Sequence, residues 1–182
     1  MAAVNLLPNA DVNNSPAWTL ASGSDIYALL DDDVSNPPNL DVGQINATSA
    51  SKRCTLAFQD FDDTGVASID SVTAVIKHNN NGRGRTYELG MSILSSSGTF
   101  WAEESTGTVS ANMNWLTTTF TVRETSTALG VAWTNSDLDD IRMQIDLDAT
   151  TGGTTRVGYA YFKVIYTVAA VTNDAVFFGT NF

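Results

Sequence analysis

Apolar and polar residues alternate along most of this chain with a period of two. In residues 68–78, Val72, Ala74 and Ile76 share one parity, and in residues 86–93 Tyr87, Leu89, Met91 and Ile93 do the same. Between 115 and 123, Leu116, Thr118, Phe120 and Val122 oppose Thr117, Thr119, Thr121 and Arg123. Residues 141–148 alternate without a break, Ile141, Met143, Ile145 and Leu147 against Arg142, Gln144, Asp146 and Asp148. Successive strand side chains point to opposite faces, so each segment predicts a strand with one core side and one wet side, as in antiparallel sheets.

Residues 156–168 read differently. Phe162, Val164, Tyr166 and Val168 form one face, while Tyr159, Tyr161 and Ile165 form the other. A strand apolar on both sides is central in the fold or covered from outside. Shorter strands are expected at 18–20, 26–30, 56–61 and 106–110, for eight or nine in all. Turns fall at 62–65, 79–84 and 150–153, where Gly, Asn and Asp supply the backbone conformations hairpins need. Asn36-Pro37-Pro38-Asn39 cannot be central strand, because proline donates no ladder hydrogen bond. Residues 26–30 and 137–140 could each close one helical turn, too little for a layer. The expectation is an all-β chain, an antiparallel β-sandwich of jelly-roll type over residues 15–168. Residues 1–14 would be an N-terminal arm and 169–182 a C-terminal docking tail.

Composition then narrows the function. Nine Lys and Arg stand against twenty Asp and Glu, a net charge of −11, which disfavours the phosphate contacts of nucleic-acid binding. No apolar run approaches the roughly 18–20 residues of a membrane span. Residues 1–8 lack the basic and apolar regions of a secretory signal, so Asn46-Ala47-Thr48 is a sequon without a route to glycosylation. Cys54 is the single cysteine and reads as a buried, inert thiol.

Catalytic chemistry finds little to work with. His78 is the only histidine; it runs into an Asn-rich turn and reads as a solvated surface residue, with no nucleophile elbow anywhere. Glu103-Glu104 would point to opposite faces if on a strand, and reads best as loop charge. The Asp clusters at 31–33, 60–63, 137–140 and 146–148 raise calcium, but none has the helix–loop–helix ligand spacing, and solvated loop charge explains them. Neither a catalytic residue, a metal ligand nor a cofactor is expected. Trp101, Trp115, Trp133, Tyr159 and Tyr161 are candidates for stacking on sugar rings, Tyr159 and Tyr161 because they share the outer side of a late strand.

The ends pose a burial problem. Phe177, Phe178 and Phe182 in the tail, and Leu6-Leu7 in the arm, would expose more apolar surface than soluble monomers tolerate. Docking on neighbouring subunits would cover it. Leu6, Leu7, Phe177, Phe178 and Phe182 are therefore the expected interface residues, with Tyr159 and Tyr161 secondary.

Asn9-Ala10-Asp11, Trp18 and Ile26-Tyr27-Ala28-Leu29-Leu30-Asp31-Asp32-Asp33, with Leu56-Ala57-Phe58 and Ile69-Asp70-Ser71-Val72-Thr73, resemble small virion proteins of tailed bacteriophages. Thr134-Asn135-Ser136-Asp137-Leu138-Asp139-Asp140 and Val164-Ile165-Tyr166 extend the resemblance over residues 5–168. It implies a jelly-roll virion protein, not an enzyme, that decorates or cements the capsid exterior. Such a protein would be a homo-oligomer, dimer or trimer, binding the major capsid protein, with no nucleic-acid or membrane partner. The alternative is a receptor- or glycan-binding module of a fibre or tail.

Overall fold

The computed structural model describes residues 1–31, 43–111, 113–126 and 130–170. In chain order the first elements are β1 (Ala2–Leu6), β2 (Pro8–Asn13), β3 (Thr19–Leu20), α1 (Tyr27–Leu30), β4 (Ile45–Ala47), β5 (Lys52–Phe58) and β6 (Val66–Asn80). Then follow β7 (Thr86–Leu94), β8 (Phe100–Ser105), β9 (Val109–Ser110), β10 (Leu116–Thr119), α2 (Asn135–Asp139), β11 (Arg142–Thr150) and β12 (Thr155–Val168). Two antiparallel sheets form. One runs β10-β6-β12-β4-β3 with β1 also on β12, and the other runs β2-β5-β11-β7-β8 with β9 on β7. The chain crosses between sheets at β1–β2, β2–β3, β4–β5, β5–β6 and β6–β7, then again at β9–β10, β10–β11 and β11–β12. Apart from the β3–β4 and β7–β8 pairs, most neighbours in sequence therefore face one another rather than pair, a β-sandwich of the jelly-roll kind.

The period-two pattern accounts for the core. Leu89, Met91 and Ile93 of β7 and Met143, Ile145 and Leu147 of β11 face Ala74 and Ile76 of β6 and Phe162 and Val164 of β12. Phe58 and Phe162 meet across the interior with ring centroids 4.6 Å apart. Cys54 is fully buried, and burial pushes its thiol pKa well up. β12 is central: it pairs along its length with β6 and, on its other edge, with β1 and β4. Its outward Tyr159 and Tyr161 form a small second cluster with Val75 and Leu7.

Several expectations are corrected. Residues 1–14 are not an arm: β1 pairs with β12 and β2 with β5, so the segment is built into both sheets. Leu6 lies in the main core, because its register partner is the inward Phe162. His78 is not solvated. β6 continues to Asn80, which keeps the His78 ring inside, fully buried. Residues 26–30 make a helical turn rather than a strand, since Asp11 accepts the Ile26 and Tyr27 N–H groups at its start. β10 ends at Thr119, so Val122 leaves the alternation and is exposed. Glu103 and Glu104 lie on a strand, β8, rather than in a loop. The Asp-rich stretches at 60–63 and 137–140 meet each other: Asp137 closes a capping box with Thr134, Asp139 accepts the Phe61 N–H and Asp63 accepts from Asn135. Pro37, Pro38 and the tail residues Phe177, Phe178 and Phe182 lie outside the described residues.

Candidate functional site

The two sheets end on the same side of the sandwich, one at β8 and the other at β10. Chain continuing past β10 bonds back to β6, with Arg123 and Val72 exchanging N–H to C=O bonds of 2.8 and 2.9 Å. Glu104 on β8 spans the gap, accepting the Thr121 N–H at 3.0 Å and the Arg123 guanidinium. Burial alone would raise the Glu104 carboxyl pKa, but hydrogen bonds from Thr121 and the Arg123 charge outweigh it and hold it below its usual value.

Behind this bridge two tryptophans meet. Opposite Trp101 the β7–β8 register shifts: Ile93 pairs with Ala102 and Leu94 with Phe100, leaving Trp101 as the extra residue of a bulge. A bulge re-aims a side chain, and the Trp101 ring sits partly exposed against the core margin. Trp133 is buried, and its Nε1–H donates to the Arg123 carbonyl at 2.9 Å. The indoles are edge to face, with centroids 5.7 Å apart and planes 77° apart.

Between them lies a cleft of about 110 Å³. Ile93, Ala102 and the two tryptophans supply its apolar wall, and Arg123, Thr125 and Ser126 its polar wall. Ser126 is buried and its hydroxyl donates at 3.4 Å to the Val131 carbonyl. The Arg123 Nε–H is buried and has no acceptor. The cleft thus offers an aromatic face beside a guanidinium and two hydroxyls, groups that can hold a polyhydroxylated ring.

Two other hollows lack this combination. One of about 320 Å³ lies beside the Arg53–Asp146 pair, whose atoms approach to 2.7 Å. Asp148, which also lines it, has its carboxyl pKa raised by burial and then by the nearby Asp146, Glu88 and Glu103. The other, about 280 Å³, lies beside Phe61 and Tyr166, whose ring centroids are 5.5 Å apart, with Asp60 and Asp62 on its wall. Among the described residues no three His, Cys, Asp or Glu side chains are grouped to hold a metal.

The structure brings Trp101 and Trp133 together and places Trp115, partly buried, ahead of β10 and outside the cleft lining. Tyr159 and Tyr161 are not an open outer platform; they are 5% and 9% exposed, beneath their own cluster. Leu7 packs on that cluster. Arg123, Glu104, Thr125 and Ser126 were not legible as site residues. Their spacing carries no motif, and only the edge-to-edge closure of the sheets unites them.

The fold puts this chain in the class of jelly-roll β-sandwiches, similar to those of carbohydrate-binding modules. No family model and no curated protein matches it. Among solved structures, the arabinose-bound MgGH51 α-L-arabinofuranosidase has TM-score 0.46 at 15% identity, covering 88% of this chain and 26% of that one. The chain thus spans about a quarter of that enzyme's length. The CBM36-1 domain of a multidomain xylanase from the hindgut metagenome of Trinervitermes trinervoides has TM-score 0.41 at 10% identity, covering 93% of this chain and 100% of that one. The CBM32 of AlyQ, in complex with 4,5-unsaturated mannuronic acid, has TM-score 0.41 at 12% identity, covering 86% and 97%.

Proposed function

We propose that this protein is a non-catalytic glycan-binding β-sandwich and that the Trp101–Trp133 cleft is its sugar site. The observation that carries the reading is the presence, in one cleft, of a partly exposed indole and the polar side chains of Arg123, Thr125 and Ser126. Sugar rings stack their C–H faces on indoles while their hydroxyls take up convergent donors and acceptors. Arg123 is held in place by Glu104, so this part of the polar wall is preorganised and little ordering free energy is lost on binding. A glycan array with the full chain tests it. Specific signal that disappears in Trp101→Ala supports the reading, and no specific signal across the array overturns it.

A second reading, the virion decoration protein, draws on a different observation. Phe100, Val122 and Val131 are each more than half exposed, and each is a chain neighbour or hydrogen-bond partner of a cleft residue. Such an apolar rim would bury well against an adjoining capsid subunit. The N-terminal leucines no longer serve it, since Leu6 is spent in the chain's own core. Mass spectrometry of purified virions tests this reading: hundreds of copies per particle support shell decoration, and absence of the chain overturns it.

A further inference from the structure

We infer that the outer face of the β6–β12 sheet is a second binding surface, a track for an acidic polysaccharide. It is separate from the Trp101–Trp133 cleft and does not depend on it. Register places the cations. Ile76 of β6 and Val157 and Phe162 of β12 belong to the core. Lys77, Arg156 and Lys163, each one position away, therefore stand on the outer face. Lys77 pairs across the strands with Tyr159, Arg156 with Asn79 and Lys163 with Thr73. The run of β12 from Arg156 to Lys163 makes the track roughly 20 Å long, at about 3.3 Å per residue.

Charge singles this face out. The six strands of its sheet carry three cations and one carboxylate, Asp70. That carboxylate is already taken up by the Ser68 and Thr167 hydroxyls. Strands of the opposite sheet carry six carboxylates against three cations. Among the described residues the ion pairs are Arg53–Asp146 and Arg123–Glu104, so Lys77, Arg156 and Lys163 have no counter-charge. Lys77 rests over the Tyr159 ring, its Nζ 5.4 Å from the centroid, a contact that leaves its charge intact. In a chain of net charge −11, this face is where a polyanion meets attraction.

The groups between the cations decide the partner. Thr117 and Thr119 of β10 share the face and are exposed, and Asn5, opposite Lys163, is partly exposed. Val75, Tyr159 and Tyr161 are buried, so the track lacks the exposed apolar centre of a protein interface. A nucleic acid needs denser phosphate contacts than three cations provide. Acid groups spaced along a polysaccharide match the cations, and its hydroxyls match Thr117, Thr119 and Asn5.

The test titrates the full chain calorimetrically with neutral, uronate-bearing and sulfated oligosaccharides of matched length, at low and high salt, beside poly-glutamate. At least one acidic oligosaccharide is expected to bind about tenfold tighter than the neutral one at low salt and to lose that advantage at high salt. Lys77→Gln and Lys163→Gln should each weaken it about two- to fivefold, and Lys77→Arg should not. Lys52→Gln removes the same charge from the opposite sheet and is expected to leave binding as it was. Binding of either acidic class with this pattern supports the inference, and the tighter one names the acid group. Equal binding of neutral and acidic members, no acidic binding, or acidic binding untouched in Lys77→Gln and Lys163→Gln overturns it. So does tighter binding of poly-glutamate, which would make the partner an acidic protein. The cleft reading stands or falls separately, on Trp101→Ala.

Discussion

His78 and Tyr87 are hydrogen-bonded between the facing sheets, imidazole Nδ1 to phenolic oxygen at 2.8 Å, with Thr118 Oγ1 2.7 Å from the other ring nitrogen. Burial lowers the His78 pKa to about 4 and raises the Tyr87 phenol to about 12. Above pH ~6.5 the histidine is neutral in both folded and unfolded chains and contributes no pH dependence. As pH falls toward 4 the unfolded chain takes up a proton that the folded one refuses, so stability present at neutral pH is lost across that window. The loss approaches about 3 kcal/mol. Urea unfolding at pH 7.5 and 4.5 measures it against His78→Gln, in which this share of the slope disappears. Identical slopes in both proteins would show that His78 is not held neutral.

The N-terminal segment gives a second expectation. Leu6 is 3% exposed in the main core, whereas Val4, two residues earlier on β1, is 37% exposed. Deleting a buried leucine side chain leaves a cavity, so Leu6→Ala is expected to cost about 2–4 kcal/mol, and Val4→Ala under about 1 kcal/mol. A docking arm would erase this difference, with neither variant moving the thermal midpoint of the monomer.

These residues also show what sequence reading reaches. The strands with clean alternation, β7 and β11, were legible because the period of two is itself the physical consequence of a half-buried sheet. Leu6-Leu7 was legible as apolar but not as core, since a short alternation among Asn and Pro looks like an adhesive arm until β12 supplies its partner. His78 was hidden for a related reason. Its turn-rich surroundings suggest solvent, but the side chain reaches inward to a tyrosine on the opposite sheet. Of the candidate site, Trp101 and Trp133 were among the stacking aromatics, while Arg123 and Glu104 come together only once two sheet edges meet, a long-range relationship without local periodicity.

The turns that carry the chain from one sheet to the other constrain one glycine sharply. At Gly153, φ is +81° and a Cβ would stand 2.4 Å from Asn80 Oδ1 and 2.7 Å from the Gly82 backbone. A side chain there incurs both the left-handed backbone penalty and a clash with main chain that cannot withdraw. Gly84 has φ +67° with nothing within 4 Å. Gly153→Ala is therefore expected to destabilise by at least about 2 kcal/mol and Gly84→Ala by about 1 kcal/mol. Equal thermal shifts for the two variants would mean that the β6–β7 and β11–β12 connections do not pack as described.

The two tryptophans of the cleft have separable duties. Trp133 is 5% exposed, packs in the core and donates its Nε1–H to the Arg123 carbonyl, so removing it takes away both packing and an anchor of the polar wall. Trp101 sits partly exposed on a bulge at the last strand of its sheet, where its ring supplies the cleft's accessible face. Trp133→Ala is expected to destabilise by about 3–5 kcal/mol, and Trp101→Ala by about 1–2 kcal/mol. Binding should rank differently. Trp101→Phe keeps a smaller ring and is expected to weaken a sugar ligand severalfold, while Trp101→Ala abolishes measurable binding at unchanged far-ultraviolet circular dichroism. Because Trp101 is the accessible indole of the pair, ligand titration should also perturb the intrinsic fluorescence of the native protein, and that change should shrink in Trp101→Phe. Undiminished sugar binding in Trp101→Ala would move the site away from this cleft.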